Sequence, residues 1–298
     1  MMLRGTLTAL VTPFKDNRVD FDALERLVEW QIASGIHGLV ACGSTGEFAT
    51  LTQQEQKEIL KTCVRVNNGR VPIIAGTSDI NPYTVIDLGQ QAIECGVDAV
   101  MVVAPYYVKP TQDQIHAFYT LINSTIKFPL LLYNNPGRCA ISMSVDTVVS
   151  LSKQPTIIGI KEADPDITRP AKLLNHIDRE GFSILSGNSS SVPAFLAEGG
   201  HGVISVTSNV DPVRCSQLTS AWVQKDLDTL TTLRQALIDL DEALYLEPAP
   251  ATIKYALSQR QLCSDDVRPP LGRFTDKHKL TIQQLLSRLN LGTVHEWN

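Results

Sequence analysis

Eight short apolar runs, most of them followed by a longer amphipathic stretch, limit the fold of this chain more than any other feature. The runs are Thr6–Val11, Gly38–Cys42, Val71–Ala75, Ala99–Ala104, Leu130–Tyr133, Ile157–Ile160, Ser183–Leu185 and Gly202–Val206. They are too short for helices. Most are rich in Val, Ile and Leu, the composition of parallel strands buried on both faces. Between them lie helical patterns. Phe21–Ser34 places Leu24, Leu27, Val28 and Ile32 on one stripe, and Gly35 follows as a stop signal. Thr52 with Glu55 reads as a capping box. Asn81-Pro82, Thr111 and Ser144 open later helices, and Ser190-Ser191 open the seventh, which Gly199-Gly200 ends. Eight strands alternating with helices predict a closed (β/α)8 TIM barrel of the α/β class. An open doubly wound sheet shows the same alternation, and strand count alone does not exclude it.

The chain beyond Val206 is too long for one closing helix. Leu218–Leu246 and Lys279–Leu289 read as helical, with Pro248, Pro250, Pro269 and Pro270 as breaks. The expected organisation is a barrel carrying the active site over residues 1–225 and a C-terminal helical domain over 226–298. The length of 298 residues and 43% hydrophobic content suit one barrel of about 250 residues with such an extension.

Composition narrows the function classes. The net charge is −5 and no basic run stands out, so nucleic acid is not an expected partner. No apolar stretch reaches membrane-spanning length, and a soluble, cytoplasmic chain is expected. Cys42, Cys63, Cys95, Cys139, Cys215 and Cys263 form no CxxC pair and no Cys/His cluster. Neither a zinc site nor a disulfide framework is implied; buried, reduced thiols are. The histidines show no ligand spacing. Asn123-Ser124-Thr125 matches a glycosylation acceptor but carries no weight without a secretion signal.

In a barrel of this kind, chemistry gathers at the C-terminal ends of the strands. Here those ends read Gly43-Ser44-Thr45-Gly46-Glu47, Pro105-Tyr106-Tyr107, Tyr133-Asn134-Asn135-Pro136-Gly137-Arg138, Gly159-Ile160-Lys161-Glu162 and Ser186-Gly187-Asn188. Polar and reactive residues converge on one rim. Lys161 is the sharpest of them. Burial or a neighbouring cation such as Arg138 disfavours an ammonium, and a neutral amine attacks carbonyls to form imines. Position alone leaves a second reading open, a surface lysine paired with Glu162. Tyr133 offers a phenolic proton beside that amine, or else caps the barrel core. The Gly43–Gly46 turn offers backbone N–H groups to an anion, or is an ordinary turn. Arg138 offers a fork to a carboxylate, or is a solvated loop charge. Tyr107, taken alone, reads as packing.

These motifs together resemble the dihydrodipicolinate synthase / N-acetylneuraminate lyase family over nearly the whole chain. The resemblance runs from Gly5–Phe14 through Gly-Ser-Thr-Gly-Glu, Ala-Pro-Tyr-Tyr, Tyr-Asn-Asn-Pro-Gly-Arg and Gly-Ile-Lys-Glu-Ala to Leu185–Asn188, Gly199–Val206 and Glu247–Pro250. It implies a barrel with a helical C-terminal domain. On the synthase branch it implies condensation of pyruvate with aspartate-4-semialdehyde, with no metal and no diffusible cofactor. Lys161 would form the imine with pyruvate. Tyr133 would move protons, relayed through Thr45 to a Tyr107 reaching in from a neighbouring subunit. Ser44 and Thr45 would hold the pyruvate carboxylate, and Arg138 the carboxylate of the semialdehyde. Gly187 and Ile204 would line the pocket near Lys161. A dimer would be the minimum active unit, commonly within a homotetramer, a dimer of dimers.

Arg138 separates the synthases from the sialic acid lyases, which usually lack an arginine there. Three positions depart from the synthase pattern: Ser44 stands in place of threonine, Asn135 in place of Val or Ile, and Asn188 in place of an acidic residue. Other pyruvate-imine aldolases or lyases, keto acid dehydratases or deaminases, and a binding protein on the same barrel are the alternatives. Intact Lys161, Tyr133 and Thr45 weigh against the last. Lysine-inhibited members usually carry a histidine and a glutamate where Gln53 or Gln56 and Thr84 stand here, which implies weak or absent feedback. Neither resemblance nor residue pattern assigns Cys139 a role.

Overall fold

The computed structural model describes residues 1–294. Residues 295–298, the end of the expected C-terminal domain, lie outside the described residues. The eight barrel strands are β1 (Gly5–Ala9), β2 (Gly38–Ala41), β3 (Ile73–Gly76), β4 (Ala99–Val103), β5 (Leu130–Asn134), β6 (Ile157–Glu162), β7 (Ser183–Ser186) and β8 (Gly202–Ser205). Each pairs in parallel with its neighbours, and β8 closes onto β1. The open-sheet alternative is thereby removed, and the fold is a TIM barrel with C-terminal helices. Every residue of these strands is buried. Leu7, Leu39, Ile74 and Val100 are wholly so, each worth roughly 1.5–3 kcal/mol of apolar burial. A small hairpin, Phe14–Lys15 with Arg18–Val19, precedes the first helix.

The surrounding helices are α1 (Phe21–Ala33), α2 (Gln53–Asn67), α3 (Pro82–Glu94), α4 (Gln112–Ile126), α5 (Pro136–Cys139), α6 (Val145–Ser152), α7 (Arg169–Leu174), α8 (Val192–Ala197) and α9 (Pro212–Gln224). The Thr52 hydroxyl accepts from the Glu55 N–H at 3.2 Å, and the Thr52 N–H donates to the Glu55 carboxylate at 2.9 Å. This satisfies two of the N–H groups that a helix start leaves unpaired. Thr111 and Gln114 repeat the device on α4. The Ser190-Ser191 start is different. Ser189–Ser191 form a 3-10 turn, and among the described residues no side chain caps α8.

The C-terminal region corrects one sequence reading and extends another. Leu218–Leu246 is not one helix. Lys225 adopts a left-handed conformation that ends α9, and α10 (Leu227–Ala243) starts afresh, capped by Asp226 accepting from the Thr229 N–H at 3.0 Å. The apolar pattern runs on across this break, so periodicity alone conceals it. The Pro248–Pro250 segment is a break, as read, but a further helix follows it directly. That helix is α11 (Ala251–Gln259), with Pro250 at its N-cap. The chain ends its described part in α12 (Asp276–Arg288) and a short tail. Thr207, just after β8, donates to Asp241 of α10 at 2.6 Å, which ties these helices to the barrel rim.

At the opposite end of the barrel two histidines serve as backbone acceptors. His201 Nδ1 accepts from the Ile184 N–H at 3.0 Å, and His37 Nδ1 accepts from the Thr6 N–H at 3.2 Å. Burial pushes both imidazoles down, with nearby Arg179 and Arg4 adding to it at His201, which falls to about 4. No helix among the described residues is long and apolar enough to cross a membrane.

Candidate active site

Strand alternation decides which side chains reach the barrel mouth. Tyr133 of β5 pairs with Lys161 of β6, and Asn134 pairs with Glu162 one residue on. The two pairs therefore face opposite sides of the wall. Asn134 and Glu162 face outward. The Asn134 amide donates to the Glu162 carboxylate at 2.7 Å, and Arg169 of α7 donates to its other oxygen at 2.7 Å. The Asp164 N–H adds a third bond at 2.9 Å, and Arg169 also donates to the Met143 carbonyl at 2.8 Å. Burial pushes the Glu162 carboxyl up, against the pull of Arg169. Glu162 thus belongs to Arg169. The reading that pairs it with Lys161 on the surface is overturned.

Tyr133 and Lys161 face inward. Lys161 is only 5% exposed, and its Nζ stands 4.3 Å from the centre of the Tyr133 ring. Among the described residues Lys161 has no ion-pair partner and no hydrogen-bond acceptor. Burial of an ammonium is costly unless it is paired, so an unpaired buried lysine reads more readily as a reagent than as a brace. The Tyr133 hydroxyl accepts from Asn135 Nδ2 at 2.7 Å. It donates to no protein group among the described residues, and Thr45 makes no hydrogen bond to it there.

The turn after β2 is built from its own backbone. The Gly46 N–H donates to the Gly43 carbonyl at 3.0 Å, and the Glu47 N–H to that of Ser44 at 3.2 Å. Thr12 donates to the Gly46 carbonyl at 2.8 Å. The N–H groups of Ser44 and Thr45 find no protein acceptor among the described residues, the condition for receiving an anion. From beneath, Lys254 of α11 donates to the Glu47 carboxylate at 2.5 Å, and the Arg268 N–H donates to its second oxygen at 2.9 Å. Arg268 also forks onto Glu55 of α2, with the shorter arm at 2.5 Å, and this holds the Glu55 carboxyl down at about 2. The C-terminal segment therefore fixes the turn that carries Ser44 and Thr45.

A model of the Dihydrodipicolinate synthetase family matches residues 2–289. The chain belongs to this family. A relative named 4-hydroxy-tetrahydrodipicolinate synthase, from Rhodospirillum centenum, is 41% identical over 98% of this chain and 100% of its own. A crystal structure of the chloride-inhibited dihydrodipicolinate synthase of Acinetobacter baumannii, complexed with pyruvate, is 35% identical. It superposes with a TM-score of 0.94 over 97% of this chain and 100% of its own. A monomeric dihydrodipicolinate synthase variant is 31% identical, with a TM-score of 0.95 over 97% of this chain and 98% of its own.

In this member of the family a cavity of 320 Å³ lies beside the turn, lined among others by Ser44, Glu47, Tyr106, Arg138, Cys139 and Ala249. It brings Arg138 and Ser44 together, although these residues come from different strand ends. Lys161, Tyr133 and Thr45 are not part of its lining. Arg138 is exposed and has no ion-pair partner among the described residues. Beside it, burial pushes the Cys139 thiol up to about 11, with Arg138 pulling the other way, and Cys139 Sγ contacts the Ala104 carbonyl at 3.3 Å. The thiol anchors α5 to the end of β4.

Gly187 follows β7, where its N–H donates to the Glu162 carbonyl at 2.6 Å. A Cβ there would stand 2.6 Å from the Cβ of Ala163, so only glycine lets the chain pass so close to β6. Ile204 is wholly buried in β8. Tyr107 does not join the other residues within one chain. It is 88% exposed, with φ +70°, a conformation that costs a bulky residue roughly 1–3 kcal/mol.

Sequence reasoning passed over two contributors. Lys254 lies 207 residues from Glu47 and looks like any helical lysine. Asn135 was visible only as a departure from pattern, and its bond to Tyr133 was not.

Proposed function

We propose that this chain is a lyase of the 4-hydroxy-tetrahydrodipicolinate synthase type, condensing pyruvate with L-aspartate-4-semialdehyde on the route to diaminopimelate and lysine. The observation that carries this reading is Lys161, buried against the Tyr133 ring with no acidic partner among the described residues in a chain of this family. The Lys161 amine attacks the pyruvate ketone, and water leaves as the imine forms. The cationic nitrogen then accepts the electrons left when a methyl proton departs. The resulting enamine carbon attacks the aldehyde, whose oxygen takes up a proton. Finally the amine of the second substrate attacks the imine carbon and displaces Lys161, closing the ring and freeing the enzyme.

Each site residue has a task in this sequence. Tyr133 delivers and recovers protons above Lys161, with Thr45 and Tyr107 as its relay. The free N–H groups of Ser44 and Thr45 receive the pyruvate carboxylate. Arg138 forks onto the carboxylate of the semialdehyde. Gly187 and Ile204 line the pocket beside the reacting centre. Tyr107, exposed and strained in one chain, enters the site of a second copy. The dimer is then the active unit, and a homotetramer built as a dimer of dimers is the assembly in solution.

Turnover tests the activity. Purified protein with pyruvate and aspartate-4-semialdehyde should form the cyclic product. An inert semialdehyde together with cleavage of N-acetylneuraminate would move the chain to the lyase branch. Mixing inactive Lys161→Ala and Tyr107→Phe chains tests the shared site. Recovery of activity on mixing supports a Tyr107 supplied in trans, and no recovery removes it.

A further inference from the structure

We propose that Asn135 is a positioning residue for proton transfer, orienting the Tyr133 hydroxyl so that its proton points to the substrate while capping the turn that carries Arg138. This rests on the reading of Tyr133 as the proton carrier. The geometry leaves one orientation for the Asn135 amide. Its Oδ1 accepts from the Arg138 backbone N–H at 3.2 Å. A backbone N–H only donates, so the amide oxygen must face it. Nδ2 must then face the Tyr133 hydroxyl, 2.7 Å away. Nδ2 has no lone pair to offer, so the phenol oxygen is the acceptor. The phenolic hydrogen is turned away from Asn135, and among the described residues no other protein group takes it. It is left for whatever lies over Lys161, whose Nζ stands 4.3 Å from the same ring.

The bond also favours chemistry in one direction. A donor held on the phenol oxygen stabilises the phenolate that exists while the proton is away. The same side chain initiates α5, where Pro136 occupies the first helical turn. One amide therefore couples the acid–base group to the turn that presents Arg138. Aspartate at this position would keep the cap, because its oxygen still accepts from the Arg138 N–H. It would also accept the phenolic proton, so Tyr133 would point the wrong way.

The test compares Asn135→Asp and Asn135→Val with the wild-type chain across pH. Asn135→Asp should lower kcat by on the order of 10–100-fold, a part of the full acid–base contribution, with KM for pyruvate nearly unchanged. Asn135→Val should move the limb of the kcat–pH profile that reports Tyr133 upward by about one pH unit, the loss of one charge-assisted hydrogen bond. Both variants should still yield a borohydride-reduced pyruvate adduct on Lys161. Profiles that superpose on that of the wild type, with unchanged kcat, would overturn the proposal. So would a wild-type chain that forms no adduct, and in that case the underlying reading falls with it. Asn135→Asp keeps the cap, so the comparison survives if Asn135→Val does not fold.

Discussion

Two buried lysines lie in different regions of this molecule, one braced by a carboxylate and one, proposed as the reacting amine, without such a brace among the described residues. Lys161 sits at the barrel mouth and Lys254 at the seam between the C-terminal segment and the turn after β2. Both lie over aromatic rings, 4.3 Å from the centre of Tyr133 and 4.0 Å from that of Phe14. Lys254 is wholly buried, held by the Glu47 carboxylate at 2.5 Å and the Asp266 carbonyl at 2.8 Å. Burial lowers its pKa, against the opposing pull of Glu47. Lys161 has no such partner among the described residues. Burial alone does not separate the two; the acceptor does, and the proposal that Lys161 is the reacting amine rests on that difference.

The largest effect expected of this contrast is on rate. Lys161→Met should abolish turnover, by on the order of 10⁴-fold or more as for other nucleophile deletions. The thermal midpoint should hold, because no partner is orphaned. Tyr133→Phe should cost about 10²–10⁴-fold in kcat, the usual range for a lost acid–base group, again with little change in melting.

Lys254→Met should act first on stability. It strands the Glu47 carboxylate in the interior, and breaking a buried pair costs about 3–5 kcal/mol. Denaturant unfolding should show that loss. Glu47→Leu added to Lys254→Met should recover most of it, whereas no second substitution should restore Lys161→Met. If Lys161→Met melts as early as Lys254→Met, the distinction between the two lysines fails.

The barrel was legible in the sequence because its strands are short, apolar and bounded by turn residues. The placement of Tyr133 and Lys161 side by side on the barrel wall was legible because one closes such a run and the other directly follows one. What the sequence hid was side-chain pairing. Residue order does not show that Glu162 belongs to Arg169, that Lys254 answers Glu47 across 207 residues, or that Asn135 grips Tyr133 two residues away. The break at Lys225 was hidden for another reason, since a left-handed residue leaves the apolar stripe on either side intact. Pro248 and Pro250 read as punctuation, yet Pro250 stands at the very start of α11.

The remaining effects are smaller. His201 is held neutral, its pKa lowered from 6.5 to about 4 by burial. The unfolded chain then binds more protons than the folded one between these values, so stability should fall as pH drops from about 6.5 towards 4. Urea midpoints across that window should show the slope, and His201→Gln should flatten it. The smallest expected effect concerns lysine free in solution. Gln56 is buried and its amide reaches the Phe48 carbonyl at 3.4 Å, while Thr84 lies in the first turn of α3. Neither offers a carboxylate or an imidazole, so sub-millimolar lysine should leave the rate unchanged. Inhibition in that range would show a binding site built from other groups.

The most direct measurement is chemical trapping. The protein is incubated with pyruvate, reduced with borohydride, digested and read by mass spectrometry. The reduced pyruvate adduct should lie on the peptide bearing Lys161 and be absent from the one bearing Lys254. An unmodified Lys161, or an adduct on another lysine, would contradict the assignment of Lys161 as the reacting amine.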